Sequence, residues 1–297
     1  MSCVLVTGCS SGIGRETALA LGKAGHTVYA TMRKPERDQI LQETIERERL
    51  PVSILALDVD SDEAVAETVA TVRSKAGFID ALVNNAGIER IGSIEELPFE
   101  AFRATMETNY FGSLRCIRAC LPDMRKRRSG CIVNVSSVAG RIACSPMSPY
   151  AASKFALEAL SEALAQEVKP LNIRVAIVEP GIIDTPMARR VAEPLVDSQY
   201  PHVRRFAGMF VAALAKPAGP SLVADKIREV IESGTWQLRH PVGPDAQPFL
   251  GWRGSMTDEQ WVNWGALDDN AWYERVQGDF GLDARPKTKQ HSAPLAP

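Results

Sequence analysis

Cys3-Val4-Leu5-Val6-Thr7-Gly8-Cys9-Ser10-Ser11-Gly12-Ile13-Gly14 stands almost at the start of the chain, and Arg15 to Ala24 continues it with Ala18, Leu19, Ala20 and Leu21. The first five residues are a short apolar run that suits a strand, and the segment after Gly14 carries a helical pattern. A strand, a glycine-rich turn and a helix in this order make a phosphate cradle. The glycines permit a tight turn and a close backbone approach, while the N-terminus of the helix favours negative charge. The spacing here is Gly8-x3-Gly12-x-Gly14, which differs from the G-x-G-x-x-G of the common dinucleotide fingerprint. Glycine-rich turns also simply join strands to helices, so the rest of the chain decides between the two readings.

Outward from that stretch the pattern repeats. Apolar runs at Thr27–Thr31, Val52–Leu57, Ala81–Asn84, Gly130–Val135 and Ile173–Val178 read as strands. Helical stretches near 36–48, 61–76, 99–127 and 149–168 lie between them. Alternation of this kind predicts parallel βαβ units in one α/β domain, and nearly continuous apolar strands predict a sheet covered on both faces. The first strand is expected to be central, with ligands at the carboxyl ends of the strands. A chain of 297 residues with 45% hydrophobic and 24% charged residues has ample material for a buried core. The formal net charge of −2 gives no reason to expect nucleic acid or an anionic membrane as partner. Arg125-Lys126-Arg127-Arg128, the one basic run, reads as a solvated helix end rather than an anion site.

The six cysteines (Cys3, Cys9, Cys116, Cys120, Cys131 and Cys144) form no Cys-x-x-Cys pair, and several fall in apolar patterns. With no signal peptide and no apolar run of membrane-spanning length, the chain reads as cytoplasmic with reduced thiols. His26, His202, His240 and His291 show no metal-ligand spacing, so no metal is expected.

Tyr150 and Lys154 are four residues apart in a helical segment, so both side chains leave the same helix face. A lysine ammonium beside a phenol favours the phenolate and is expected to pull its pKa down from about 10. Ser148 and Pro149 before them read as a helix cap and a first-turn proline. The pair joins Thr7-Gly8-x3-Gly12-Ile13-Gly14, Asn84-Asn85-Ala86-Gly87, Pro180-Gly181-x3-Thr185 and a serine thirteen residues before the tyrosine. In order and spacing these motifs resemble the short-chain dehydrogenases/reductases, over roughly residues 2 to 235. Val28-Tyr29-Ala30-Thr31-Met32-Arg33, Leu121-Pro122-Asp123-Met124 and Tyr150 to Glu158 are similar to the branch with 17β-hydroxysteroid and retinol dehydrogenases.

The resemblance implies a Rossmann-type doubly wound parallel sheet in three layers. It implies catalytic roles for Asn109, Ser137, Tyr150 and Lys154. Tyr150 would exchange a proton with the substrate oxygen, and Ser137 would hold that oxygen. Lys154 would lower the tyrosine pKa and hold the nicotinamide ribose, and Asn109 would anchor a water leading to solvent. The implied cofactor set is Gly8, Ser10, Ser11, Gly12, Ile13, Gly14, Arg33, Asp58, Val59, Asn85, Ala86, Gly87, Pro180, Gly181, Ile183 and Thr185, together with Tyr150 and Lys154. An NAD enzyme is expected to carry a carboxylate after the second strand, where this chain has Met32-Arg33-Lys34. Arg33 could fork onto a 2′-phosphate, which favours NADP(H). Ser11 stands where some NADP-dependent members carry a basic residue, so NAD(H) stays open.

Two segments break the regular pattern. Residues 187–220, with Met187, Leu195, Phe206, Met209, Phe210 and Leu214, are expected to cover the substrate, as the corresponding insertion does in the resembling family. Residues 236–284 form an extension with Trp252, Trp261, Trp264 and Trp272, four indoles within 21 residues, which are expected to pack on the body or on a partner subunit. Residues 285–297 read as disordered. The resemblance implies a homodimer or homotetramer paired through the helices near 99–127 and 149–168. The expected activity is reduction or oxidation of a small hydrophobic carbonyl or alcohol. A nucleotide-binding regulatory protein without turnover is the alternative of another class, and it gives no reason for all four catalytic positions to be present.

Overall fold

Val4 and Val6 face one way from the first strand, and Cys3 and Leu5 face the other; all four are buried. This two-sided burial recurs through the sheet and sets the three layers. The computed structural model describes residues 1–193 and 198–286, apart from the Arg37 side chain. The expected disordered tail lies outside the described residues from 287 onward, and so does Leu195.

The strands are β1 (Cys3–Val6), β2 (Thr27–Met32), β3 (Val52–Ala56), β4 (Ala81–Asn84), β5 (Gly130–Val135), β6 (Ile173–Pro180) and β7 (Arg239–Val242). They pair in the order β3-β2-β1-β4-β5-β6-β7, all parallel. The first half winds outward from β1 to β3, and the second half returns beside β1 and winds the other way. The order therefore reverses at the β1–β4 boundary, where α/β sheets open a crevice at their carboxyl ends.

The helices are α1 (Gly12–Lys23), α2 (Gln39–Glu48), α3 (Asp62–Ala76), α4 (Phe99–Met106), α5 (Gly112–Arg127), α6 (Ser148–Val168), α7 (Pro186–Val191), α8 (His202–Ala213), α9 (Ser221–Ser233), α10 (Ala246–Gly254), α11 (Asp258–Gly265) and α12 (Asp269–Phe280). One core joins the sheet to α1, α2 and α9 through Ala18, Leu21, Leu41, Ile227 and Val230. The opposite core uses Val69, Ile117, Met124 and Leu164 from α3, α5 and α6. Each fully buried Leu or Ile in these layers contributes roughly 1.5–3 kcal/mol relative to exposure. Among the described residues, no helix is long and apolar enough to cross a membrane.

Three details depart from the sequence reading. The sheet extends beyond residue 235, because Arg239-His240-Pro241-Val242 pairs with Ile177 to Pro180 as a seventh strand. Its composition hides it: an edge strand needs neither a continuous apolar run nor a donor at every position, so Pro241 is tolerated. The start of α6 is corrected as well. Met147 holds the cap position, its carbonyl accepting the Ala151 N–H at 2.8 Å. Ser148 is already helical, and its hydroxyl has no partner among the described residues. Finally, the basic run is only partly solvated. Arg127 bonds Asp80 and the Ile79 carbonyl, and its guanidinium lies 4.4 Å from the Phe78 ring centroid.

Candidate active site

The glycine loop is tight because other backbone fills the space around it. Gly8 and Gly12 have φ of +73° and +57°, a conformation that L side chains rarely adopt. A Cβ on Gly8 would lie 2.7 Å from Ala86 Cα, so the loop rests directly on the turn after β4. Asn85 fastens this contact, its Nδ2 donating to the carbonyls of Thr7 at 2.9 Å and Gly8 at 3.0 Å. The Thr7 hydroxyl accepts from the backbone N–H of Asn85 and of Ala86, both at 3.0 Å. No side chain caps α1, which leaves the N-terminus of that helix to whatever the loop cradles.

A cleft of about 440 Å³ opens over the carboxyl ends of the strands. Gly8, Ser10, Ser11, Gly12, Ile13, Arg33, Asp58, Val59, Asn85, Ala86 and Gly87 line it, and so do Ser137, Tyr150, Lys154, Pro180, Gly181, Ile183 and Thr185. Two residues of the sequence-derived set are not on its wall. Gly14 sits behind the loop, where a Cβ would meet the Gly8 carbonyl oxygen at 2.3 Å; its part is packing. Asn109 is fully buried behind Gly87. Conversely, Glu89, Ile182, Met147 and Arg190 line the cleft without having been singled out, and Phe210 of the expected covering segment reaches it too. Of these, Glu89 follows the Asn84–Gly87 motif by two residues, and that proximity was the available signal.

No acid at the end of β2 faces the cleft. Glu36, in the short turn Pro35–Arg37, is exposed and is not on the cleft wall, and Asp38 caps α2 by accepting the Leu41 N–H at 3.1 Å and pairs with Arg15 at 3.0 Å. Arg33 is exposed at the cleft wall. The residues present therefore suit a dinucleotide with an anionic group near Arg33: a tight glycine loop with small side chains, an uncapped helix start and an exposed guanidinium with no carboxylate of the β2 end beside it on the cleft wall.

The four catalytic positions come from three elements. Tyr150 and Lys154 share one face of α6, and the Lys154 Nζ lies 5.6 Å from the Tyr150 ring centroid. Lys154 is buried, and its Nζ donates to the Val135 carbonyl at 2.8 Å. Ser137 stands two residues after β5 and caps the short turn Val138–Gly140, accepting the Ala139 N–H at 3.1 Å. Asn109 lies in a π turn, Glu107–Phe111, that joins α4 to α5. Such turns widen the helix and redirect a side chain. Here Asn109 Oδ1 accepts the Ile88 N–H at 2.8 Å, and its Nδ2 donates to the Ile88 carbonyl and to Ser153 Oγ, both at 2.9 Å. Its amide thus ties the π turn to the β4 loop and to α6. A second buried chain, Asn84 to Asn134 to Ser161, runs below at 2.8 Å per bond and holds β4, β5 and α6 in register.

Electrostatics correct one expectation. Burial pushes the Tyr150 phenol up to about 12, with the Ser137 hydroxyl opposing and the Glu89 charge adding to the rise. Burial also brings the Lys154 ammonium down to about 8, against the nearby Glu158 carboxylate. The lysine was expected to draw the phenol down. Desolvation dominates instead, because both groups share the same low-dielectric pocket and the charged form of each is disfavoured there.

A second cavity of about 240 Å³ meets the cleft at Ser137, Met147, Gly181, Ile182 and Phe210. Phe206, Met209, Phe249, Trp252, Trp261, Trp264, Trp272 and Phe280 supply much of its wall. The indoles pack on one another: Trp261 stacks on Trp264 with centroids 5.4 Å apart, and Trp252 meets both edge-on. Trp261 Nε1 also donates to the Ala143 carbonyl at 3.1 Å, tying the extension to the loop that follows β5. In this chain the Trp-rich extension and α8 together enclose an apolar space beside Ser137.

The short chain dehydrogenase family model matches residues 2–195, which span the glycine loop, all of the cleft lining except Phe210 and both residues of the Tyr150/Lys154 pair. The chain belongs to the short-chain dehydrogenase family. Retinol dehydrogenase 8 from Bos taurus is 40% identical over 262 residues, covering 83% of this chain and 83% of that protein. The NADPH-dependent pterin aldehyde reductase of Arabidopsis thaliana is 40% identical over 183 residues, 61% of this chain and 75% of that one. The crystal structure of a short-chain dehydrogenase from Streptomyces avermitilis superposes with a TM-score of 0.75 at 34% identity, covering 89% of this chain and 96% of its own. This short-chain dehydrogenase is accordingly an oxidoreductase with a Rossmann-type sheet.

Proposed function

We propose that the protein is an NADP(H)-dependent oxidoreductase that interconverts a hydrophobic ketone or aldehyde and the corresponding alcohol. The observation that carries this reading is the junction of the two cavities at Ser137: a cleft lined by the glycine loop and Arg33 on one side, an aromatic enclosure on the other. When bound, the nicotinamide cofactor supplies or accepts the hydride. Tyr150 gives its phenolic proton to the substrate oxygen in reduction and takes it back in oxidation. Ser137 donates a hydrogen bond to the same oxygen as charge develops there. Lys154, held by the Val135 carbonyl, offsets the charge left on the phenolate and contacts the ribose. Asn109 acts on this set from behind, by fixing Ser153 and the turn at Ile88. Residues 187–220 and the Trp-rich extension enclose the substrate's apolar body.

Arg33 is the residue that we assign to the 2′-phosphate, in keeping with the paired state of Asp38 and with the NADPH-dependent relative. Arg33→Ala is expected to raise KM for NADPH about tenfold or more and to leave KM for NADH within about twofold, since a charge-assisted hydrogen bond contributes roughly 1.5–3 kcal/mol. Steady-state kinetics with both cofactors measure it. An unchanged cofactor preference would favour NAD(H) instead, consistent with Ser11 in the loop. Exposed Phe99, Phe111 and Phe155, on the α4–α5 segment and on α6, support pairing of these helices in a homodimer or homotetramer. We place the enzyme in the cytoplasm.

A further inference from the structure

The aromatic cavity has a cationic wall that the proposed hydride chemistry does not use. Arg205, on α8, is 3% exposed and lines the cavity. Its Nε donates to Asp269 Oδ1 at 2.7 Å, and its guanidinium carbon lies 5.8 Å from the Trp272 ring centroid. Its Nη1 has no hydrogen-bond partner among the described residues. Trp264 Nε1 and His202 Nδ1, from two other residues of the same lining, are likewise buried without partners among the described residues. His202 Nε2 sits 3.0 Å from the Gly265 carbonyl and donates to it.

The charge balance points the same way. Arg204 also pairs with Asp269, so two guanidiniums share one carboxylate. No carboxylate lines the cavity among the described residues. A buried guanidinium with an unused N–H is costly to leave unsatisfied, and planar carboxylate is the group that its fork matches best. A neutral hydroxyl would satisfy one donor and leave the excess charge in place.

We propose that the substrate is bifunctional. An apolar body carries the reacting carbonyl or hydroxyl to Ser137 and Tyr150, and a carboxylate on the same molecule is held by Arg205 with the Trp264 N–H as second donor. This inference rests on the reading of the aromatic cavity as the substrate's seat. It makes Arg205 the residue that separates hydrophobic oxo acids from neutral ketones of equal size.

The test uses the full chain, with 9-oxodecanoate and its methyl ester as probes and the quenching of cavity tryptophan fluorescence as readout. The acid is expected to bind about tenfold or more tighter than the ester, the range of a charge-assisted hydrogen bond. Arg205→Met should bring the two probes within about twofold of each other, and Arg205→Lys should keep part of the preference. Should Arg205→Met lose its cooperative thermal transition, Trp264→Phe replaces it: this variant keeps an aromatic ring and removes the N–H. It is expected to weaken the acid about threefold or more beyond any change that it causes in the ester. Equal binding of acid and ester to the wild type, binding of neither, or an acid preference that survives both variants would overturn the assignment. The outcome is separable from the reaction itself. Turnover of neutral ketones without acid preference removes this inference and leaves the proposed reaction standing, whereas acid preference without turnover of any ketone does the opposite.

Discussion

Tyr150→Phe is expected to lower kcat/KM by about 10²- to 10⁴-fold, the range of one positioned general acid/base, with cofactor affinity within about threefold of wild type. The substitution removes one oxygen and keeps the ring. That ring packs with Ala139, Met147 and Phe206, and the Lys154 Nζ stays near its face. The fold and the cleft therefore have little reason to change. Only the proton that passes to the substrate oxygen is lost, so the deficit should appear in kcat as well as in kcat/KM. Steady-state kinetics with a bulky ketone, and a separate titration of NADPH, distinguish lost chemistry from lost binding. Activity within tenfold of wild type would exclude Tyr150 as the proton carrier. The pH profile adds a signed expectation. With its pKa near 12, the phenol stays protonated and ready to donate throughout the neutral range. Reduction should therefore be flat at neutral pH and decline as pH rises through about 8, where Lys154 loses the charge that offsets the departing proton. Oxidation starts from the phenolate, whose share grows as pH rises toward about 12, so its rate should rise with pH across the neutral range while Lys154 stays charged.

The pattern of apolar runs was enough to place the five inner strands, because an inner parallel strand is buried on both faces and has to be apolar throughout, and also the edge strand β3, which keeps Val52, Ile54 and Leu55. Strand β7 escaped because it lies at the edge, where Arg239 and Pro241 cost little. The glycine loop and the Tyr150/Lys154 pair were legible for a different reason: their geometry is local, fixed by spacing within one turn or one helix. What stayed hidden depends on distant neighbours. Spacing puts Tyr150 and Lys154 on one face, but burial by α7, α8 and the β5 end makes desolvation set the direction of both shifts. Likewise, Asn109 carries an amide that the sequence leaves free to point anywhere. The π turn and the Ile88 backbone determine where its donors go. The four indoles called for cover, yet their place beside Ser137 follows from the path of α10–α12 across α8.

Gly14→Ala tests the glycine loop more severely than any change at its rim. A Cβ at this position would lie 2.3 Å from the Gly8 carbonyl oxygen and 2.4 Å from Asn85 Nδ2. The first is backbone, and the second is bonded to the carbonyls of Thr7 and Gly8, so neither neighbour can give way without breaking the staple between the loop and β4. Alanine gains about 1 kcal/mol over glycine within a helix. Overpacking of this kind costs roughly 1–3 kcal/mol and at times more, so strain is expected to outweigh propensity. The variant should unfold at lower temperature and bind NADPH more than about tenfold less tightly, since a displaced Gly8 carbonyl carries the cradle with it. Gly251→Ala in α10 is the matched control: nothing lies within 4 Å of its Cβ position, and the residue is exposed. There propensity acts alone, and a gain of up to about 1 kcal/mol is expected, with cofactor binding unchanged. Thermal unfolding followed by circular dichroism and NADPH titration measure both. If Gly14→Ala keeps the wild-type melting temperature and affinity, the contact between Gly14 and Gly8 does not shape the cradle.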